Sequence, residues 1–188
     1  MRPMRDLNNA VKLSNKHLQA IGEVAVRWGE LEDTLSTIIW DIANLRLPGA
    51  YAITTHLNER TKIDICNSLA DTIFGSRPLA EELRTHLNYI LNTVYPKRNT
   101  VVHSTWGYSP EPEKSEILPI TARGKIKFGP RQSFSADYIF AIADEIYSAN
   151  DKLYHLREQI LELLKTLNNW KHHSSIVLVV PGHWRQVQ

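Results

Sequence analysis

The stretch IGEVAVRWGELEDTLSTIIWDIANL, from Ile21 to Leu45, decides the fold. Its apolar residues Ile21, Val24, Trp28, Leu31, Leu35, Ile38, Ile42 and Leu45 step by three and four without a break. That spacing places one apolar stripe along a long helix. Ser14 is placed to cap the helix, and Pro48-Gly49 to end it.

The same rhythm returns near the other end of the chain. Ile139, Ile142, Ile146, Ala149, Leu153, Leu156, Ile160, Leu163 and Leu167 predict a second long amphipathic helix, with Ser135 as its N-cap. Between these two lie a less regular helix expected over about Ala50 to Phe74, stopped by Gly75, and a third that begins at Pro78. The third carries Leu79, Leu83, Leu87, Ile90 and Val94, meets a kink at Pro96, and continues through Val101 and Val102 to Trp106-Gly107. Ile117 to Phe128 alternates around Ala122-Arg123-Gly124 and predicts a β-hairpin. Ser175 to Val180 is a short strand candidate in the tail.

Two sustained heptad stripes invite a coiled-coil reading. The intervening helices and loops favour an all-α, antiparallel bundle of four long helices, with a small β-hairpin between the third and fourth. Residues 1–170 are expected to form a single domain, and 171–188 a C-terminal tail.

The 188 residues are 43% hydrophobic and 22% charged, with a formal net charge of +2. Those values fit a globular chain and supply no strong global field for nucleic acid or membrane. The single cysteine, Cys66, makes no internal disulfide. No signal-peptide run or membrane-length apolar stretch is present in the sequence, so the expected location is cytoplasmic and no membrane partner is expected. The charge is uneven, however. From Arg84 to Arg131 there are eight Lys or Arg against three Asp or Glu.

That basic region surrounds YPKRNTVVHSTW, Tyr95 to Trp106, and the candidate chemistry lies there. Asn99 and His103 are four apart and share a helix face. Arg98 and His103 differ by about 140° around the helix axis, so their meeting depends on the reach of arginine and on the kink. A histidine moves protons near neutral pH. An arginine grips phosphate with two parallel hydrogen bonds and stabilises charge that develops on it. An amide orients either. RNA brings its own nucleophile, the 2′-OH, and needs neither a serine nor a metal. The plain alternative is a solvated helix end.

Other signals are weaker. No Gly-rich phosphate loop, HExxH or paired cysteines occur. His172, His173 and His183 are expected to be solvent-exposed rather than metal ligands, and Glu30, Glu32 and Asp33 to form a solvated helix face. No metal and no cofactor are expected.

An all-α bundle whose third helix ends in Arg-Asn-x-x-x-His resembles the HEPN superfamily (higher eukaryotes and prokaryotes nucleotide-binding). The residues that carry the resemblance are Arg98, Asn99 and His103, and in helix order it extends from about Ser14 to Leu167. The resemblance implies a metal-independent endoribonuclease. His103 would be the general acid/base, Arg98 would hold the scissile phosphate, and Asn99 would position one of them. The products would be a 2′,3′-cyclic phosphate and a 5′-hydroxyl. It also implies a toxin paired with an antitoxin protein, or a role in phage defence. The alternative is a non-catalytic bundle that binds a nucleotide or a protein partner. Lys97 and Trp106 are further candidates for RNA binding, by phosphate contact and base stacking, and Arg60 for facing the same cleft. Cleavage through the 2′-OH requires one proton taken and one given, and each motif holds one histidine. A homodimer that joins two motifs at a two-fold interface supplies both.

Overall fold

The computed structural model describes residues 13–109, 111, 113–121 and 127–173. Helix α1 spans Asn15–Ile42, and Ser14 caps it by accepting the His17 amide. The stripe that defined it is buried: Val24, Trp28, Leu31, Leu35, Ile38 and Ile42 all lie in the core. Each such aliphatic side chain contributes about 1.5–3 kcal/mol by leaving water.

The helix expected over Ala50 to Phe74 is two helices. A short α2, Gly49–Thr54, is followed by α3, Glu59–Phe74. Asn58 makes the break. Its backbone is extended and its side chain accepts the Thr61 amide at 2.9 Å, which starts a new helix rather than continuing an old one. Gly75, with φ of 62°, stops α3 in a conformation that a side chain would strain.

Helix α4, Pro78–Tyr89, runs into a π-helical turn at Ile90–Val94 and then into α5, Tyr95–His103. This turn is the physical answer to Pro96. Proline has no N–H to donate and its ring crowds the preceding turn. The chain widens just before it, and the Tyr95 amide reaches back to the Ile90 carbonyl. The expected extension through Trp106 does not occur. Helix α5 stops at His103, and Thr105–Tyr108 forms strand β1.

Strands β2 (Lys114–Leu118) and β5 (Gln132–Ser135) complete a three-stranded antiparallel sheet in the order β1-β2-β5. Trp106 pairs with Ile117, and Ser115 with Phe134. The expected hairpin is the smaller β3–β4 ladder, Ile120–Thr121 with Lys127–Phe128, while Ile117 itself lies in the larger sheet. Helix α6, Ala136–His173, leaves β5 directly, with Ser135 accepting the Tyr138 amide.

The helix directions correct the antiparallel four-helix expectation. Lys16 meets Asp137 near the two helix starts, and Arg157 meets Asp41 at 2.6 Å further along, so α1 and α6 run the same way. Helix α3 also runs with α1, its start beside Trp28 and its Cys66 beside Leu35. The α4–α5 rod runs against them, through Glu82–Lys152 and Lys97–Glu145. The short α2 segment carries the chain back so that α3 can rise beside α1. The tail strand candidate, Ser175 to Val180, and His183 lie outside the described residues, as do the side chains of His172 and His173. Among the described residues no helix is long and apolar enough to cross a membrane.

Candidate functional site

The end of α5 is held by its neighbours. Val101 is buried, and the Trp106 indole N–H donates to the Val101 carbonyl at 2.9 Å. That bond ties β1 back over the last helical turn. Trp106 also meets Phe134 edge-to-face, with ring centroids 6.0 Å apart. These packing contacts occupy the side chain that the sequence offered for base stacking.

Arg98, Asn99 and His103 come together. Arg98 Nη1 donates to Asn99 Oδ1 at 3.0 Å and lies 2.8 Å from His103 Nε2. A guanidinium has only donors, so Nε2 is the acceptor of this pair. The 140° offset is spanned by the length of the arginine side chain. His103 is exposed, while Arg98 and Asn99 are half-buried.

Arg98 rests on the aromatic core. Its guanidinium carbon sits 5.3 Å from the centre of the Trp28 ring, within cation–π range. Its Nε is buried with no acceptor. Tyr95, one turn earlier, packs against the same indole at 5.7 Å.

The indole N–H of Trp28 meets two carboxyls whose meeting the sequence reading passed over. The indole N–H donates to Glu32 at 2.6 Å and also approaches Glu59 at 3.4 Å. Glu32 had been assigned to a solvated face and Glu59 had not been singled out. Burial pushes the Glu32 carboxyl up, and the hydrogen bond to Glu59 pushes the same way. Burial also works against the charge of Glu59. The hydrogen bond from Glu32, its own backbone amide, the Trp28 N–H and the positive charge of Arg98 together outweigh that and hold Glu59 low. Lys62, buried on α3, adds positive charge beside Glu32. A cavity of about 200 Å³ adjoins Glu32, lined also by Lys62, Ser36, Trp40 and Thr54. Sequence could have offered Glu59 only as the acidic residue after a helix cap.

Lys97 and Arg60 stand apart from this cluster. Lys97 faces α6 and forms a 2.6 Å ion pair with Glu145, beside a separate cleft lined by Pro96, Thr100 and Tyr138. Arg60 is exposed on the first turn of α3, next to Glu59. Among the described residues, no three His, Cys, Asp or Glu side chains gather as a group that could hold a metal ion.

Neither family models, curated proteins nor solved structures gave a match to this chain.

Proposed function

We propose that the chain is a metal-independent endoribonuclease that works in the cytoplasm as a homodimer, with Arg98, Asn99 and His103 as its reacting set. The observation that carries this reading is the hydrogen-bonded chain from Asn99 through Arg98 Nη1 to His103 Nε2 on an exposed helix end. It supports a reaction in which RNA supplies the nucleophile. Nε2 presents a lone pair, and a lone pair is what a general base needs to take the 2′-OH proton. When phosphate enters, the guanidinium exchanges its contact with Nε2 for phosphate oxygens and frees the base at that moment. The 2′-O attacks the adjacent phosphorus and the 5′-O leaves with a proton from an acid. The ends are then a 2′,3′-cyclic phosphate and a 5′-hydroxyl. Asn99 holds the guanidinium plane. The resemblance to the HEPN superfamily points the same way, and with it a protein antitoxin or a phage-defence setting.

Incubation with structured RNA in EDTA tests the reading. Fragments with cyclic phosphate ends are expected. Cleavage that requires added Mg²⁺ and leaves 5′-phosphates would remove Arg98 and His103 from the chemistry. The second reading is a binding module, favoured by the fact that Arg98 Nη1 is already satisfied by its own neighbours. RNA retention without any fragments selects it.

A further inference from the structure

The cavity beside Glu32 holds a cation with nothing to bind. Lys62 is 8% exposed, yet among the described residues its ammonium makes neither a hydrogen bond nor an ion pair. Burying a charge without a partner costs stability, and a partner that arrives from outside the chain accounts for it. The cavity, about 200 Å³, lies between α1, α2 and α3, and Lys62 lines it together with Glu32, Asp33, Trp40 and Tyr51. We infer that this cavity is a guanine pocket, which reads one base of the RNA that is cut at Arg98 and His103. The inference rests on the ribonuclease reading for its consequence in cleavage, and not for the binding itself.

The lining disfavours the simplest ligand for a lysine, an anion. Phosphate asks for donors on several sides, and here one ammonium faces two carboxyl side chains. The hydroxyls of the wall have their protons engaged: Ser36 donates to the Glu32 carbonyl at 2.9 Å and Thr54 to the Ala50 carbonyl at 2.9 Å. The free donor is therefore Lys62. The free acceptor is Asp33, an exposed residue whose carboxylate has no partner among the described residues. A carboxylate and an ammonium side by side match the Watson–Crick edge of guanine. Its N1–H and N2–H go to the two carboxylate oxygens, and its O6 accepts from the ammonium. Adenine and cytosine offer one amine on that edge and uracil one ring N–H, so each leaves a carboxylate oxygen unmet. The wall supplies an aromatic face as well. Tyr51 is 53% exposed and meets Trp40 edge-to-face with ring centroids 4.7 Å apart, which holds its ring for stacking on a base. Glu32 ties the pocket to the reacting set. It accepts the Trp28 N–H at 2.6 Å, and the ring of the same indole lies 5.3 Å from the Arg98 guanidinium carbon. A base in the cavity and a phosphate at Arg98 are thus one indole apart, within the reach of a single nucleotide.

Equilibrium binding of the four nucleoside 3′-monophosphates is the test, since they share the phosphate and differ in the base. The guanine nucleotide is expected to bind about tenfold or more tighter than the other three. Lys62→Met keeps the shape and removes the ammonium. It is expected to erase the preference while melting at or above the parent temperature. Asp33→Asn, at an exposed position, exchanges one acceptor for a donor. It is expected to weaken the guanine nucleotide by about tenfold or more and to strengthen xanthosine 3′-monophosphate, whose C2 oxygen accepts from the new amide. A swap from guanine to xanthine is a readout that a structural role would not move. Equal binding of all four nucleotides, or a guanine preference untouched by both substitutions, would overturn the inference. Cleavage is mapped separately on structured RNA. Cuts by the parent protein are expected to cluster beside guanosines, and those by Lys62→Met to lose that preference; parent cuts that ignore guanosine would also overturn the inference. His103→Ala is expected to bind the guanine nucleotide like the parent without cutting. If the parent protein does not cut RNA, the ribonuclease reading fails and the nucleotide titrations alone decide the pocket.

Discussion

Arg98 Nη1 lies 2.8 Å from His103 Nε2, although the two residues start on different faces of the same helix. The arginine reaches around the helix end and meets the one imidazole of the motif. His103 is exposed, so its removal disturbs little packing. His103→Ala is expected to lower RNA cleavage by about 10²- to 10⁴-fold with the melting temperature nearly unchanged. Arg98→Lys should also lose most of the rate, because lysine keeps the charge without the planar fork. Cleavage assays on purified variants check both; parental rates in a folded His103→Ala protein would sink the mechanism.

A shared site at a two-fold axis is the second expectation. The segment from Val94 to Trp106 was the sequence candidate for the interface. Val94 and Val101 are buried in the protomer's own core, which leaves Pro96 and His103 of α5 and Thr105 of β1 as the exposed residues of that segment. Two such ends facing each other bring both Arg98 and both His103 to one phosphate. Sedimentation at micromolar concentration should give a dimer, and cross-links should join the two helix ends. An active monomer, or His103 side chains beyond roughly 15 Å of each other, too far for one phosphate, would exclude the shared site.

Acid should weaken the fold through His86. This side chain is buried on α4, and its Nε2 donates to the Ala149 carbonyl at 2.8 Å. Burial lowers its pKa, since the charged ring loses water, and the bond to Ala149 only partly offsets that. A histidine held neutral in the fold contributes fully above its unfolded pKa of about 6.5, and that contribution is lost as pH falls below it. Thermal melts between pH 7.5 and 5 should show stability falling from about pH 6.5 downward. His86→Gln should flatten that limb; an identical acid profile in the variant would assign it to other groups.

Cys66 should be chemically silent. It has no exposed surface, and burial pushes its thiol up to about 12. Only the thiolate reacts. Ellman's reagent at pH 8 is expected to leave the native protein unmodified over hours and to titrate one thiol in guanidinium. Rapid labelling of the native chain would show that α3 opens away from α1.

The sequence disclosed what repeats locally. The stripe from Ile21 to Leu45 and the one from Ile139 to Leu167 gave two helices, and the caps Ser14 and Ser135 marked their starts. Helix direction was not legible, because a three-and-four rhythm reads the same in a parallel or an antiparallel neighbour. Strand β1 was missed because TWGY becomes a strand only by pairing with β2, a partner outside its own window. The split at Asn58 was legible as a capping residue, but an apolar pattern crossing it masked the signal. At the candidate site, Arg98, Asn99 and His103 were found because they share one helix. The Glu32–Glu59 meeting escaped because its members sit on separate helices, and only the folded core brings both to one indole.

The π-helical turn at Ile90–Val94 has a consequence for how this chain can change. A π turn is an α-helix with one residue too many, and it advances everything after it by about 100° relative to an uninterrupted helix. Upstream, Leu83 and Leu87 face the core; downstream, Tyr95 and Arg98 face Trp28. One surplus residue thus sets the azimuth of the α5 end independently of the packing beneath it. Losing or gaining a single codon there would swing Arg98 off Trp28, and His103 with it, while leaving the upstream hydrophobic seam in place.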